Sequence, residues 1–344
     1  MKTLWINSAS GASQIVVGES VTNLKRYLDG RRTVIITDTT VGGLYHQRFP
    51  DGPVISIGLG ESIKTLETVM TIFDRLMALE ADRSAFILGI GGGIVCDITG
   101  FVASTFLRGT RFGFIPTTLL SQVDASIGGK NGVNFRGFKN MVGLINQPEL
   151  VICDLTLLQT LPEQQIRCGF AEIIKHGVIA DGAMLDLLET QRDRALNLDA
   201  AIIADLVYRS LAIKAGVVCR DERETGERRK LNFGHTFGHA LEKLTGIAHG
   251  EAVAIGMVLA ARLSVSKGLL SAGQADRLEQ IVDSYGLPVR PPVDLSSLLA
   301  AMKKDKKRQG ERIHFVFAEA LGSARVEAVE FQTLHQLARA AGMA

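Results

Sequence analysis

Apolar and polar positions change rhythm part-way along this chain of 344 residues. In the first part, short β-branched runs alternate with helical periodicity. Thr33-Val34-Ile35-Ile36-Thr37 ends at Asp38 and a turn, and Val54-Ile55-Ser56-Ile57 leads into Gly58-Leu59-Gly60-Glu61. Ala85-Phe86-Ile87-Leu88 runs into Gly89-Ile90-Gly91-Gly92-Gly93, and Phe112-Gly113-Phe114-Ile115-Pro116 ends at Thr117-Thr118. From about Ile63 to Leu79 the spacing predicts a helix with Leu66, Val69, Met70, Phe73 and Leu76 on one face. Strands and helices in alternation mean a parallel sheet with helices on both faces. After roughly residue 150 the rhythm is helical, with starts expected near Pro162, Asp181, Asp199, His235, Ser271 and Asp294 and a last helix at the C-terminus. Ile313 to Phe317 and Ala324 to Glu327 read as a strand pair around Leu321-Gly322-Ser323. The expected organisation is an α/β domain over 1–150 and a mainly α-helical domain over 151–344.

Composition narrows the class. Hydrophobic residues make up 46% and charged residues 22%, which suits a globular protein with a large core. A net charge of +2 gives no reason to expect nucleic acid or an anionic membrane as partner. Cys96, Cys153, Cys168 and Cys219 form no CxxC pair, which speaks against a disulfide framework or a cysteine-ligated zinc and for reduced thiols in a cytoplasmic protein. Met1 to Asn7 lacks a signal-peptide core. The most apolar helix, Ala252 to Ala261, is too short to span a bilayer and is bounded by Glu251 and Arg262. A soluble protein is expected.

Candidate chemistry sits in three places. Gly89-x-Gly91-Gly92-Gly93 stands where a strand gives way to a helix, so its backbone can approach a pyrophosphate at a helix N-terminus. Taken alone, it suits an ordinary tight turn equally well. Asp97, Asp38 and Glu61 nearby are acids able to accept ribose hydroxyls. Ser121 to Asn140 reads as a glycine-rich polar loop carrying Asp124, Lys130 and Lys139, suited to an anionic, hydroxylated ligand or simply to solvent. Lys214, Arg228 and Lys230, and then the run Met302 to Arg308, are further basic groups. Finally, His235 and His239 stand one helical turn apart, His249-Gly250-Glu251 forms a polar break beyond them, and Glu172 and Lys175 share an upstream helix. Imidazoles plus one carboxylate make the donor set of an open divalent-metal site. On spacing alone, His235 and His239 are the natural chelating pair.

These motifs resemble the 3-dehydroquinate synthases of the sugar-phosphate cyclase superfamily over nearly the whole chain, from about Asp38 to Val326. The resemblance is carried by Gly91-Gly92-Gly93 with Asp97, Pro116-Thr117-Thr118-Leu119-Leu120, Gln122-Val123-Asp124, Gly128-Gly129-Lys130 and Lys139-Asn140-Met141. It continues in Ala171-Glu172-x-x-Lys175, Asp221-Glu222-Arg223-Glu224, Asn232 to His239, His249-Gly250-Glu251 and Asp305-Lys306-Lys307. Three stretches depart from the common pattern: Cys96 in place of glycine, Asn131 in place of threonine, and Phe135-Arg136-Gly137-Phe138 in place of His-Pro-Leu-Gly.

The resemblance implies a Rossmann-like NAD-binding domain, a helical metal domain with the site in the cleft between them, and a homodimer. It implies conversion of 3-deoxy-D-arabino-heptulosonate 7-phosphate to 3-dehydroquinate and phosphate, with NAD and zinc or cobalt. The route is transient oxidation, phosphate β-elimination, re-reduction and aldol closure. It gives Glu172, His235 and His249 as metal ligands, leaving His239 for proton work, and differs there from the spacing. Lys130, Lys214, Asn232 and Lys306 would face the substrate carboxylate and hydroxyls. Lys175, Arg228, Asn140 and His239 would serve phosphate and protons, with Arg108 reaching in from the neighbouring subunit. Asp38, Glu61, Lys64, Gly92, Gly93, Asp97, Thr117, Thr118, Asp124 and Lys139 would bind NAD, with Lys130 close by. Another cyclase acting on sedoheptulose 7-phosphate, or a metal-dependent NAD alcohol dehydrogenase, is the competing reading. The other cyclase's substrate would lack the carboxylate that Lys130, Lys214, Asn232 and Lys306 suit, and the cationic phosphate set speaks against a dehydrogenase's simple polyol.

Overall fold

The computed structural model describes residues 1–306 and 312–341, with the backbone alone for 303–306. The chain divides into two compact units, 1–161 with 214–222, and 162–213 with 223–344. The first unit runs past residue 150 to Leu161, and the short return segment 214–222 belongs with it.

In the first unit the strands are β1 (Lys2–Ser8), β2 (Gly11–Val17), β3 (Thr33–Asp38), β4 (Val54–Ile57), β5 (Phe86–Gly91), β6 (Arg111–Pro116), β7 (Lys130–Phe135), β8 (Phe138–Ile145) and β9 (Leu150–Cys153). Among the described residues, seven of them form one sheet in the order β1-β2-β9-β6-β5-β3-β4. All neighbours in it are parallel except β1 and β2. Burial follows position. The central β5 is buried along its whole length, as a strand covered on both faces must be, while the edge strand β4 alternates exposed and buried. Helices α1 (Lys25–Leu28), α2 (Thr39–Tyr45), α3 (Leu66–Ala78) and α4 (Gly93–Thr105) follow or connect these strands. Val16, Leu24, Ile35, Leu88, Ile115 and Ile152 belong to the buried core of this unit. In α3 the buried stripe is Val69, Ile72 and Leu76. Met70, expected inside, is 63% exposed, because the buried stripe runs through Val69, Ile72 and Leu76 and leaves Met70 off its edge.

Two features were not expected from the sequence. The β1–β2 hairpin turns at Ala9-Ser10, which is no standard hairpin dipeptide. And Ser121 to Asn140 is not a loop. It holds a π-helical turn over Ser121–Ala125 and then the β7–β8 hairpin, whose connecting Arg136 and Gly137 both take positive φ. That is the backbone of a type I′ turn, which matches strand twist.

The second unit contains α5 (Glu163–Ala180), α6 (Gly182–Thr190), α7 (Arg192–Leu196), α8 (Ala200–Arg220, whose last turns belong to the first unit), α9 (His235–Thr245), α10 (His249–Ser266), α11 (Ala272–Ser284), α12 (Leu295–Lys306) and α13 (Phe331–Ala340). A hairpin of β10 (Arg312–Ala320) and β11 (Ser323–Glu330) completes it. Asp181, Asp199, Ser271 and Asp294 each accept a backbone N–H of the helix they precede, so the expected starts coincide with N-caps. No helix among the described residues is long and apolar enough to cross a membrane.

Candidate metal centre and dinucleotide turn

Three helices of the second unit each contribute one donor. Glu172 lies in α5 and is fully buried, His235 is the first residue of α9, and His249 is the first residue of α10. The stretch His249-Gly250-Glu251, expected as a break, is therefore a helix start, where Glu251 caps the backbone N–H of Ala248.

Glycines bring these helices close enough for the donors to meet. A Cβ on Gly256 of α10 would lie 2.0 Å from the Gly234 carbonyl oxygen, and one on Gly238 of α9 would lie 3.3 Å from the Ala252 backbone. A Cβ on Gly250 would fall 2.3 Å from Cα of Cys168 in α5. Backbone against backbone at these positions sets the distance between helices, as only glycine allows.

The result is a tight cluster. Nε2 of His235 is 3.5 Å and Nε2 of His249 is 3.4 Å from Oε1 of Glu172, while the other carboxylate oxygen pairs with the buried Lys175 ammonium. One donor atom from each of Glu172, His235 and His249 lies within 4.8 Å of the others. The buried Glu172 carboxylate is met by three cationic or imidazole nitrogens, from Lys175, His235 and His249, and by no backbone N–H among the described residues. A buried carboxylate with two imidazole nitrogens turned toward it at 3.4 and 3.5 Å fits a divalent cation of the zinc type. His239 is exposed on the same face of α9, its ring 5.4 Å from that of His235 and 6.5 Å from that of His249.

The charges around the cluster follow from burial and neighbours. Burial by itself would raise the Glu172 carboxyl, but Lys175, His235 and His249 hold it well below the usual range. Burial, with Lys175 and the other imidazoles, pushes His235 down to about 3, so it is a neutral imidazole ready to ligate. Burial works the same way on His249, yet hydrogen bonds and charge from Glu172 and Glu242 push it up to about 10. A metal ion at Nε2 must therefore displace a proton from His249 and none from His235. In the metal-free chain the raised His249 stabilises the fold fully below its ordinary value of 6.5, and that contribution is lost as pH rises through about 10. Titration calorimetry in buffers of different ionisation enthalpy should show about one proton released per ion bound at neutral pH. Affinity should rise with pH up to the His249 value. Proton-neutral binding at pH 7 would contradict this arrangement.

In the first unit, the strand order reverses between β3 and β5, because β4 lies outside β3 and β5 lies on its other side. That switch opens a crevice at the strands' C-terminal ends, where Asp38 and Gly91-Gly92-Gly93 stand. Gly92 is the N-cap of α4, which has no acidic residue in its first turn. Its amides are thus oriented for an anion. Room is needed here: a Cβ on Gly92 would come within 3.2 Å of Thr118, and one on Gly93 within 3.2 Å of Ala125.

The surrounding residues are linked to one another. Asp38 Oδ1 accepts the Val41 N–H at 2.8 Å and so also caps α2. Lys64, 4% exposed, pairs with Asp97 and donates to Asn140, which places Asn140 beside Asp97. Burial raises the Asp97 carboxyl above its ordinary value against the pull of Lys64. Glu61 accepts from Asn134 at 2.7 Å, Thr117 is buried, and Thr118 Oγ1 lies 2.8 Å from Ser121 Oγ. Lys214 donates to the backbone oxygen and Oδ1 of Asp124 at 2.6 and 2.7 Å. Lys130 and Lys139 are exposed on the β7–β8 hairpin. Arg108 is exposed at a tip where Leu107 (φ 51) and Arg108 (φ 67) both hold positive φ. Such strain is of order 1–3 kcal/mol per residue.

Of the remaining candidates, Arg228 is buried, and the Asn232 side-chain amide donates to Glu224. Lys306 ends α12, and its side chain, with the following Lys307 and Arg308, lies outside the described residues. Glu224 and Glu242 were not expected as site residues. The one stands in the acidic stretch Asp221-Glu222-Arg223-Glu224, the other two turns after His235 on the same helix. Cys96 and Asn131, which depart from the common pattern, are both buried, and Asn131 donates to Gly129 and Asn146 at 2.9 Å, tying the start of β7 to the end of β8.

Each unit thus supplies one ingredient of an NAD- and divalent-metal-dependent enzyme of mixed α/β and helical build. Comparison with known proteins narrows that class. The family description "3-dehydroquinate synthase N-terminal" matches residues 54–168, and "3-dehydroquinate synthase C-terminal" matches 169–308. A 3-dehydroquinate synthase of Acinetobacter baylyi is 41% identical over 94% of each chain. Among solved structures, a 2-epi-5-epi-valiolone synthase from Streptomyces hygroscopicus subsp. jinggangensis 5008, with NAD+ and Zn2+ bound, is 28% identical. It aligns with TM-score 0.86 over 99% of this chain and 98% of its own. A 2-deoxy-scyllo-inosose synthase shares the fold at TM-score 0.85 over 98% and 99% of the two chains, with 24% identity. The chain belongs to the 3-dehydroquinate synthase family.

Proposed function

We propose that the protein converts 3-deoxy-D-arabino-heptulosonate 7-phosphate to 3-dehydroquinate and phosphate, the 3-dehydroquinate synthase reaction of the shikimate pathway toward chorismate and the aromatic amino acids. The enzyme uses NAD and a divalent metal. The observation that carries the reading is the meeting of Glu172, His235 and His249 from three helices around one buried point. When bound, NAD takes up and returns a hydride, and the metal acidifies the hydroxyl to be oxidised. Glu172, His235 and His249 hold the metal. Gly92 and Gly93 with the start of α4 receive the dinucleotide phosphates, and Asp38, Glu61, Lys64, Asp97, Thr117, Thr118, Asp124 and Lys139 line the rest of that site.

The other polar groups position substrate and move protons. Lys214 is aimed by Asp124 and Asn232 by Glu224, so neither must reorganise as charge develops, and with Lys130 and Lys306 they serve the carboxylate and hydroxyls. Lys175 and Arg228 are buried cations for the phosphate side, joined by Asn140. His239, exposed beside the imidazole pair, is the proton carrier at neutral pH. The strained, exposed Arg108 tip supports a homodimer in which Arg108 completes the partner's site. Buried thiols at Cys96, Cys153 and Cys168 support a reducing, cytoplasmic location.

Incubation with the heptulosonate phosphate, NAD and zinc should yield phosphate and dehydroquinate together, without net NADH, because the hydride returns. Stoichiometric NADH would make the protein a dehydrogenase. Turnover of sedoheptulose 7-phosphate in place of the carboxylated sugar would make it a different cyclase.

A further inference from the structure

We infer that Glu242 is a positioning residue for the metal centre: it holds Nδ1 of His249 and thereby turns Nε2 toward Glu172 and the cation. The inference rests on the metal reading above. His249 has its two ring nitrogens engaged on opposite sides, Nδ1 at 3.3 Å from Oε2 of Glu242 and Nε2 at 3.4 Å from Oε1 of Glu172. An imidazole that ligates through one nitrogen carries its proton on the other, and a carboxylate there accepts that N–H, fixing both tautomer and ring plane. His249 needs such a partner more than His235 does. His235 is buried and its Nδ1 lies 3.2 Å from the Phe233 carbonyl oxygen, which fixes its ring locally, whereas the His249 side chain is 35% exposed at the very start of its helix.

Glu242 is well placed for this work. Its side chain is only 11% exposed, and it lies two turns after His235 on α9, so one helix face carries both a ligand and the support for the next ligand. The glycine contacts between α9 and α10 fix the backbone that carries Glu242 against the backbone that carries His249. The sequence hides the relation, because Glu242 precedes His249 by a turn between helices and belongs to no ligand spacing.

Zinc affinity, read by competition with a chromophoric chelator, tests the role without recourse to turnover. Glu242→Ala should bind zinc roughly 10–100-fold more weakly than the parent chain. Glu242→Gln, whose amide oxygen can still accept the N–H, should fall between the two in zinc affinity and, when metal-free, stay folded but melt below the parent at neutral pH, because it no longer offers His249 a charge partner. In zinc-loaded parent protein, 15N spectra should show His249 protonated at Nδ1, and Glu242→Ala should lose that single tautomer. Parent-like zinc affinity in both variants, or a His249 that ligates through Nδ1, would overturn the inference. A parent chain that binds no zinc, or a His249→Ala chain that binds it as well as the parent, would instead refute the metal reading on which it stands.

Discussion

Glu172→Gln should purify without bound metal and turn over at least about 10³-fold more slowly than the parent, since a Lewis-acid ion is worth several kcal/mol at the transition state. The substitution keeps the shape of the side chain and removes its charge, so packing in α5 is preserved. What changes is electrostatic. His235, His249 and Lys175 all converge on the Glu172 carboxylate, which is fully buried. An amide there offers a neutral oxygen to the cation. It also takes the carboxylate away from Lys175, which is 1% exposed, and breaking a buried pair from one side costs about 3–5 kcal/mol. The metal-free variant should therefore melt lower than the metal-free parent. Metal content by emission spectrometry, measured below the melting transition, is the deciding quantity. A folded Glu172→Gln chain carrying a full equivalent of zinc would remove Glu172 from the ligand set.

The second large effect needs no charged residue. Gly256→Ala should destabilise the chain by about 3 kcal/mol, the upper end for overpacking, because its Cβ would meet a backbone carbonyl at 2.0 Å and no side chain there can rotate away. The strain can be relieved only by parting α9 from α10, which separates His235 from His249. A displacement of about 1 Å in such a site costs roughly 10²-fold in turnover. Gly273→Ala is the matched control: this glycine of α11 is exposed, with nothing within 4 Å of the Cβ that alanine would add, and the substitution should stabilise by about 0.4–1 kcal/mol by restricting the unfolded chain. Urea unfolding of the two metal-free variants should move in opposite directions. Equal tolerance of both would show that close glycine packing does not hold the imidazoles together.

Much of the fold is legible in local signals. Helix starts at Asp181, Asp199, Ser271 and Asp294 are readable because the capping side chain and the amide it accepts lie within three residues of each other. The central strands are readable because burial on both faces demands an unbroken apolar run. The β1–β2 hairpin is not readable, for a definite reason. Its turn lacks asparagine-glycine chemistry and is held from afar: Glu222 accepts from Ser8 Oγ at 2.7 Å, from Ser10 Oγ and from the Ser10 backbone N–H. Burial alone would raise that carboxyl, yet these donors and Gln147 hold it at about 2.

The candidate site divides in the same way. By itself the sequence determined which chemistry is available: glycines at a strand end, a carboxylate, three histidines and a set of cations, in an order that resembles one family. It left two histidine pairings open, because i, i+4 spacing says which imidazoles share a helix face and nothing about which groups arrive from other helices. Tertiary structure decided that Glu172, His235 and His249 converge, through glycine contacts between α5, α9 and α10 that no spacing rule contains. It also decided that Lys175 faces Glu172 and that Asn140 lies beside Asp97. Those are contacts between residues whose side-chain directions depend on helix packing and on a hairpin turn, and direction is the quantity a linear pattern does not encode.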